Sequence, residues 1–204
     1  FLMTLTRRTL LSLSASLGLS FAACTAHAQD VIRVATDSTF PPFEYMENGK
    51  RVGFDVELIE AIGKALGKKI EWTDIDFKGL VPGLVSKRFD VAASAIYITD
   101  ERRKVVDFTE PYYPGGLVIM TKKGDNKIQS PDDLNGKKVA VQVGTKSVNF
   151  LKENFPAVER VEVEKNQEMF QLVEIGRADA AVTGKPAAKV YVRAKGTLQV
   201  VEKQ

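Results

Sequence analysis

From residue 31 onward, short β-rich runs alternate with segments whose apolar residues recur at helical spacing. Val31 to Ala35, Ile70 to Trp72, Val91 to Ala95, Leu117 to Thr121, Lys138 to Val143, Val161 to Val163, Ala180 to Val182 and Gln199 to Val201 predict strands. Phe54 to Leu66 carries Val56, Ile59, Ile62 and Leu66 at steps of three and four, opposite a polar face of Glu57, Glu60 and Lys64, which predicts an amphipathic helix. Thr99 to Val106 opens on a good N-cap followed by Asp100 and Glu101, acids suited to the positive end of a helix dipole. Thr145 to Asn154 and Asn166 to Ile175 are predicted helices as well. Strand and helix taking turns in this way argue for βα units and parallel strands.

The strongest interruption is Glu110-Pro111-Tyr112-Tyr113-Pro114-Gly115-Gly116, where two prolines forbid helix and two glycines admit unusual torsions. The reading is an α/β fold of two lobes, residues 29–111 and 117–204, joined by a hinge crossing at 112–116, with a mixed, mostly parallel sheet in each lobe. Open α/β sheets bind ligands beyond the carboxyl ends of their strands, so a cleft is expected between the lobes.

Charge and composition narrow the chemistry. Of 204 residues, 44% are hydrophobic and 27% charged, which excludes disorder. Residues 1–28 read as an export signal: Arg7 and Arg8 precede an apolar run from Leu10 to Ala23, and Ala26-His27-Ala28 closes it with small residues. Cleavage is expected after Ala28 and the periplasm is the expected compartment, with lipid anchoring at Cys24 as the lesser alternative. Loss of that segment removes two of the 29 basic residues, against 26 acidic ones, together with the only cysteine and the only histidine. A nearly neutral chain without a basic block is no nucleic-acid binder. Without Cys and His there are no disulfides, no Ser-His-Asp or Cys-His sites, and no imidazole or thiolate zinc site. No cofactor and no metal are expected, and acid/base chemistry by carboxylate, lysine or tyrosine stays open.

Several residues at predicted strand ends are candidates for binding. Asp37 and Phe40 follow the first strand in a loop stiffened by Pro41 and Pro42; Phe40 either covers a ligand or plugs the core with Phe43. Phe77 faces the same choice. Ser94 and Ala95, being small, let a ligand approach the backbone. Arg102 either offers a planar guanidinium to a carboxylate or pairs with Asp100 or Asp107 on a solvated face. Gln142, Gly144, Thr145 and Lys146 form a strand, glycine and helix start whose open N–H groups attract anions, unless Thr145 serves only as a cap. Thr183 and Gly184 end another strand, with Lys185 beside them at the cleft or merely solvated. GxGxxG and GxxxxGK[ST] phosphate loops are absent.

The segments VATDSTFPPFEY, GFDVELIEAIGKALG, DFKGLVPGLVSKRFDVAASAIYITDERRKVVDFTEPYY, GKKVAVQVGTKSVNFL and GRADAAVTG, in that order and spacing, resemble the polar amino-acid periplasmic binding proteins of ABC importers, most of all the glutamine-binding branch. The resemblance implies a monomeric type II periplasmic binding protein, not an enzyme, that closes over a small amino acid and presents it to an inner-membrane permease. By position Arg102 would hold the α-carboxylate with the N–H groups of Tyr97 and Thr145. Phe40 and Phe77 would form an aromatic clamp; Asp37, Gln142 and Lys146 would face the ligand side chain; Ser94 and Ala95 would offer backbone contacts. Two departures stand out: Tyr97 where Ser or Thr is usual, and Gly184 where most relatives carry the Asp that pairs with the α-ammonium. The resemblance also implies a second hinge strand and C-terminal helices beyond Gln204, so a C-terminal truncation with an incomplete first lobe is expected. Similar folds serve cyclohexadienyl or arogenate dehydratases and periplasmic sensor modules, which are the alternative functions.

Overall fold

The computed structural model describes residues 30–201. The predicted export segment, with Cys24 and His27, lies outside the described residues.

The first sheet is wholly parallel. Its central strand β1 (Val31–Thr36) turns from exposed to fully buried along its length, because Val34, Ala35 and Thr36 sit between two neighbours. A three-stranded antiparallel ribbon follows: β2 (Thr39–Phe40), β3 (Glu44–Glu47) and β4 (Lys50–Val52). Sequence reading took its first part for a loop and missed the ribbon. Asn48-Gly49, both at positive φ (50° and 76°), turns β3 into β4, and an Asn-Gly pair between two short extended runs is a hairpin signature.

Helix α1 spans Phe54–Leu66 as predicted and ends on Gly67 in the left-handed conformation. Its buried face differs from the predicted stripe. Asp55, Val56 and Gly63 face inward, whereas Ile62 and Leu66 are exposed at 41% and 59%. Ile70 of β5 (Lys69–Asp74) reaches Gly63 so closely that a Cβ there would lie 2.6 Å from it, which moves the contact away from Ile62. β5 pairs with β1 on one side and β6 (Val91–Ala92) on the other, giving the order β5-β1-β6. A 3₁₀ turn at Phe77–Gly79 leads into α2 (Leu80–Val85), and Leu80, Phe89 and Ala35 form the core above the sheet.

Two predicted elements are shorter than expected. β6 covers only Val91–Ala92, and Ala95, predicted as its last residue, adopts positive φ (44°), which a regular strand does not accommodate. α3 covers only Asp100–Arg103, capped by the Thr99 hydroxyl accepting from the Arg102 N–H at 3.2 Å. It does not continue to Val106, and Val105 stays 57% exposed.

The second sheet has the order β11-β7-β10-β8-β9, formed by β7 (Leu117–Lys122), β8 (Lys138–Gln142), β9 (Glu159–Val163), β10 (Ala180–Gly184) and β11 (Leu198–Val200). β7 runs antiparallel to both its neighbours, and β10, β8 and β9 are parallel. Side chains alternate between two separate cores. Val139, Val141 and Val182 meet Val148 and Leu151 of α4 (Lys146–Asn154) on one face. Ala140 and Ala181 meet Met169 and Phe170 of α5 (Asn166–Glu174) and Ala188 of α6 (Lys185–Lys195) on the other. α6 was not predicted, although Pro186 in its first turn and Gly196 as its left-handed C-cap are both legible stop and start signals.

Gly53 shapes the site from a distance. It begins α1 at φ 125°, and a Cβ on it would stand 2.2 Å from the Phe43 carbonyl oxygen. That close approach turns Asp55 inward, where its Oδ2 accepts the Ala95 N–H at 2.7 Å and the Tyr112 hydroxyl at 2.9 Å. Gly53→Ala is expected to lose at least ~2 kcal/mol of stability, from strain at a glycine-only torsion plus the steric clash. Urea denaturation measures it, and an unchanged midpoint would show that the backbone relaxes freely there.

Candidate functional site

The two sheets direct the carboxyl ends of β1, β6, β8 and β10 toward one another, and a cavity lies between them. Of the candidate binding residues, Arg102, Gly144 and Lys185 do not line it, and the others do. From the first sheet come Asp37, Phe40, Phe77, Ser94, Ala95 and Tyr97; from the second come Gln142, Thr145, Lys146, Thr183 and Gly184.

Asp37 sits at the centre, 2% exposed. Its Oδ2 accepts the Phe77 N–H at 3.2 Å and the Gln142 side-chain amide at 2.7 Å. Its Oδ1 accepts the Thr39 hydroxyl at 3.0 Å and the Lys165 ammonium at 3.2 Å. Burial pushes the Asp37 pKa up, while the charge of Lys165 and these hydrogen bonds pull against it. Lys165 also pairs with Asp76 at 2.8 Å. Burial works against its charge, yet the bonds from Asp76 and Asp37 hold its pKa above the ordinary value. Further polar contacts cross the cleft, from Lys78 to Glu164 and from Asn149 to Glu101.

The aromatic candidates resolve differently. Phe43, 4% exposed, is the core plug, edge-on to Phe54 and Tyr113. Phe40 stacks on Phe43 at 6.0 Å and lines the cavity. Phe77 serves both purposes, packing on the first-sheet core while also facing the cavity.

Arg102 is not paired with Asp100 or Asp107. Its guanidinium lies 5.7 Å over the Phe77 ring and donates to the Tyr97 carbonyl at 2.6 Å and, across the cleft, to the Gly144 carbonyl at 3.0 Å. It therefore stands at the rim, against the start of α4. Thr145 does not cap that helix with its side chain; its hydroxyl donates instead to the Gln142 carbonyl at 2.7 Å. The first turn of α4 carries its N–H groups and no acidic residue. A guanidinium and a helix start thus meet at one rim, a combination suited to an anion. Lys146 adds a third positive group, 5.3 Å over the Tyr97 ring. Lys185 is exposed and outside the cavity lining.

Tyr97 and Gly184 form one steric unit. The Tyr97 hydroxyl donates to the Gly116 carbonyl and accepts the Gly116 N–H, both at 2.9 Å. A Cβ on Gly184 would lie 2.9 Å from Phe40 Cζ and 3.5 Å from the Tyr97 hydroxyl.

Sequence reading missed three polar residues here. Glu44, 1% exposed, lines the cavity; its Oε1 accepts the Ser94 hydroxyl at 2.9 Å and its Oε2 has no partner among the described residues. Burial, then the charge of Asp55, raises its pKa well above the carboxylate range. Asn166, 2% exposed, donates to Thr183 and leaves its Oδ1 without a partner among the described residues. Lys165 is the third. Glu44 could have been suspected from its place behind Pro41-Pro42-Phe43; nothing local marks the other two.

Residues 32–184 match the family described as bacterial extracellular solute-binding proteins, family 3. The chain is 37% identical over 164 residues to a probable histidine-binding protein of Campylobacter jejuni, covering 79% of this chain and 62% of that protein. It is 38% identical over 168 residues to an arginine-binding extracellular protein of Bacillus subtilis, covering 81% of this chain and 66% of that one. It thus spans less than two thirds of the length of these curated relatives. Among solved structures, an ancestral arginine-binding protein bound to arginine superposes with a TM-score of 0.81 at 42% identity, covering 84% of this chain and 78% of the other.

The raised pKa of Glu44 carries a signed consequence. A folded state that holds this proton above the usual range loses stability as pH rises through the window from ~4.3 up to the folded-state pKa. Glu44→Gln keeps an acceptor for Ser94 and removes that loss. The variant's melting temperature should exceed the wild type's by a margin that grows from pH 5 to pH 8, as thermal melts at fixed ionic strength will show. A margin that stays constant with pH would mean that Glu44 is ionised in the folded protein.

Proposed function

The chain belongs to the bacterial extracellular solute-binding proteins of family 3, and from that premise we propose that it captures a polar amino acid or a related small carboxylate and delivers it to an inner-membrane ABC permease. The observation that carries the reading is the rim where Arg102 and the start of α4 meet at the Gly144 carbonyl. Two elements of different sheets bring positive charge and open N–H groups to one point, so an anion held there ties both sheets together. In this reading the carboxylate displaces the Tyr97 and Gly144 carbonyls from the guanidinium, and Phe40 and Phe77 enclose the rest of the ligand.

The hinge proposal follows from the same contacts. Residues 29–111 and 117–204 act as two lobes that swing about 112–116, and the cross-cleft bonds of Asp37, Lys78 and Arg102 belong to the closed form. The mature protein is a monomer, exported to the periplasm after removal of residues 1–28. Relatives are binding proteins by name, which favours capture over turnover. The dehydratase alternative requires an acid or base acting on the ligand, and incubation with prephenate or arogenate tests it directly.

Arg102→Ala should weaken binding of any carboxylate ligand by ~10-fold to ~100-fold, the loss of charge-assisted hydrogen bonds worth about 1.5 to 3 kcal/mol. Titration calorimetry against the twenty amino acids measures it. Undiminished affinity in the variant would remove the rim from the site.

A further inference from the structure

The two ends of the crossing at 112–116 are anchored to different sheets. Tyr112 donates its hydroxyl to Asp55 Oδ2 at 2.9 Å and stacks on Phe54, and Tyr113 stands edge-on to Phe43 at 5.0 Å. Both tyrosines therefore go with the first sheet. Gly116 goes with the second: its carbonyl accepts the Lys185 N–H at 2.8 Å, and Leu117, the next residue, lies opposite Gly184 in the β7–β10 ladder. In the hinge motion proposed above, rotation is thereby confined to residues 114 and 115, and the locked φ of Pro114 leaves most of it to Gly115.

Tyr97 bridges that short pivot. It lines the cavity beside Ala95, and its hydroxyl donates to the Gly116 carbonyl and accepts the Gly116 N–H, both at 2.9 Å. The Gly116 carbonyl thus takes one donor from each side of the pivot, the Tyr97 hydroxyl and the Lys185 N–H. The second sheet meets the same residue again across the cleft, where the Lys146 ammonium stands 5.3 Å over the Tyr97 ring. Gly115 makes room for the arrangement, since a Cβ there would lie 2.4 Å from Tyr97 Cε1.

Resting on the two-lobe capture reading above, we infer that Tyr97 is a positioning residue: its hydroxyl is a clasp that closes on Gly116 only when the lobes are closed, and so sets how long a captured ligand stays. A phenol oxygen that uses both backbone groups of one residue tolerates little tilt, because hydrogen bonds weaken steeply as their angle falls. Opening turns the Gly116 peptide groups away from it and withdraws Lys146 from the ring. The hydroxyl acts through the hinge and not through the ligand, being already spent on Gly116 as donor and as acceptor. The clasp therefore favours the closed form with or without a ligand present.

Two variants of the full chain test the clasp. Tyr97→Phe keeps the ring, its contact with Lys146 and the backbone groups at the rim, and removes only the two bonds to Gly116. Gly115→Ala leaves the hydroxyl in place and pushes the ring off Gly116, and it decides the question if Tyr97→Phe folds poorly. Spin labels at Glu57→Cys on α1 and Lys152→Cys on α4, both exposed, in a Cys24→Ser background, report the distance between the lobes by double electron–electron resonance. Without ligand, each variant should shift the ratio of closed to open molecules toward open by ~10-fold, the effect expected for two lost neutral hydrogen bonds. With whichever of the twenty amino acids the wild type binds, stopped-flow mixing should show release ~10-fold faster and association within ~2-fold of the wild type. Ligand-free distances that coincide in the wild type and Tyr97→Phe would overturn the inference, and a lowered melting temperature alone would then mark Tyr97 as merely structural. Failure of the wild type to bind any of the twenty would remove the capture reading, while the ligand-free distances still decide the clasp.

Discussion

A carboxylate taken out of water has to be satisfied where it lies, and Asp37 is satisfied only by groups from both sheets at once. Its backbone leaves β1, its Oδ2 takes an N–H from Phe77 and an amide from Gln142, and its Oδ1 takes Lys165. With the second sheet withdrawn, Gln142 and Lys165 leave with it, and Asp37 returns to water. In the hinge motion proposed above, opening the cleft exchanges these bonds for bonds to water. Burying an ion pair yields little net stability, because desolvation offsets most of the attraction. In the proposed mechanism that near balance leaves the choice of state to the ligand.

The same reasoning explains why Arg102 stands between two carbonyls. Guanidinium N–H groups next to the Phe77 ring would be costly if idle, and burial lowers the Arg102 pKa. The carbonyls of Tyr97 and Gly144 hold the guanidinium at the rim, and in the proposed function a carboxylate takes their place. Neutral carbonyls are weaker partners than a carboxylate, so exchange is downhill. Pre-orientation of this kind reduces the ordering cost that a freely rotating arginine would bring to binding.

How much of this was legible in the sequence depended on whether the cause was local. α1 was found from end to end, since spacing, an N-terminal acid and Gly67 all act within a few residues. Its buried face was misjudged, because Ile70 of the next strand decides whether Gly63 or Ile62 touches the sheet. The positions of Asp37, Gln142 and Thr183 at a shared cavity followed from strand ends alone, which the alternation of runs locates well. Lys165 and Asn166 look like ordinary polar residues at a helix start. Their importance comes from burial beside Asp37 and Thr183, which only the tertiary arrangement creates. The ribbon at residues 39–52 and helix α6 had local signals, Asn48-Gly49 and Gly196, that went unused.

Tyr97 and Gly184 read in the sequence as two unrelated departures from the pattern of similar chains, and the structure makes them one. The Tyr97 ring needs Gly115, whose Cβ would come within 2.4 Å of it, and its hydroxyl is held by both backbone groups of Gly116. The ring so anchored passes close to Gly184, while Phe40 leans on the same residue from the other side. An acidic side chain at 184 would have to displace Phe40 and would stand against a phenol already committed to Gly116. Phe40 and the anchored Tyr97 thus leave room at 184 for little more than the glycine that stands there, and the cleft wall at the end of β10 is apolar and aromatic.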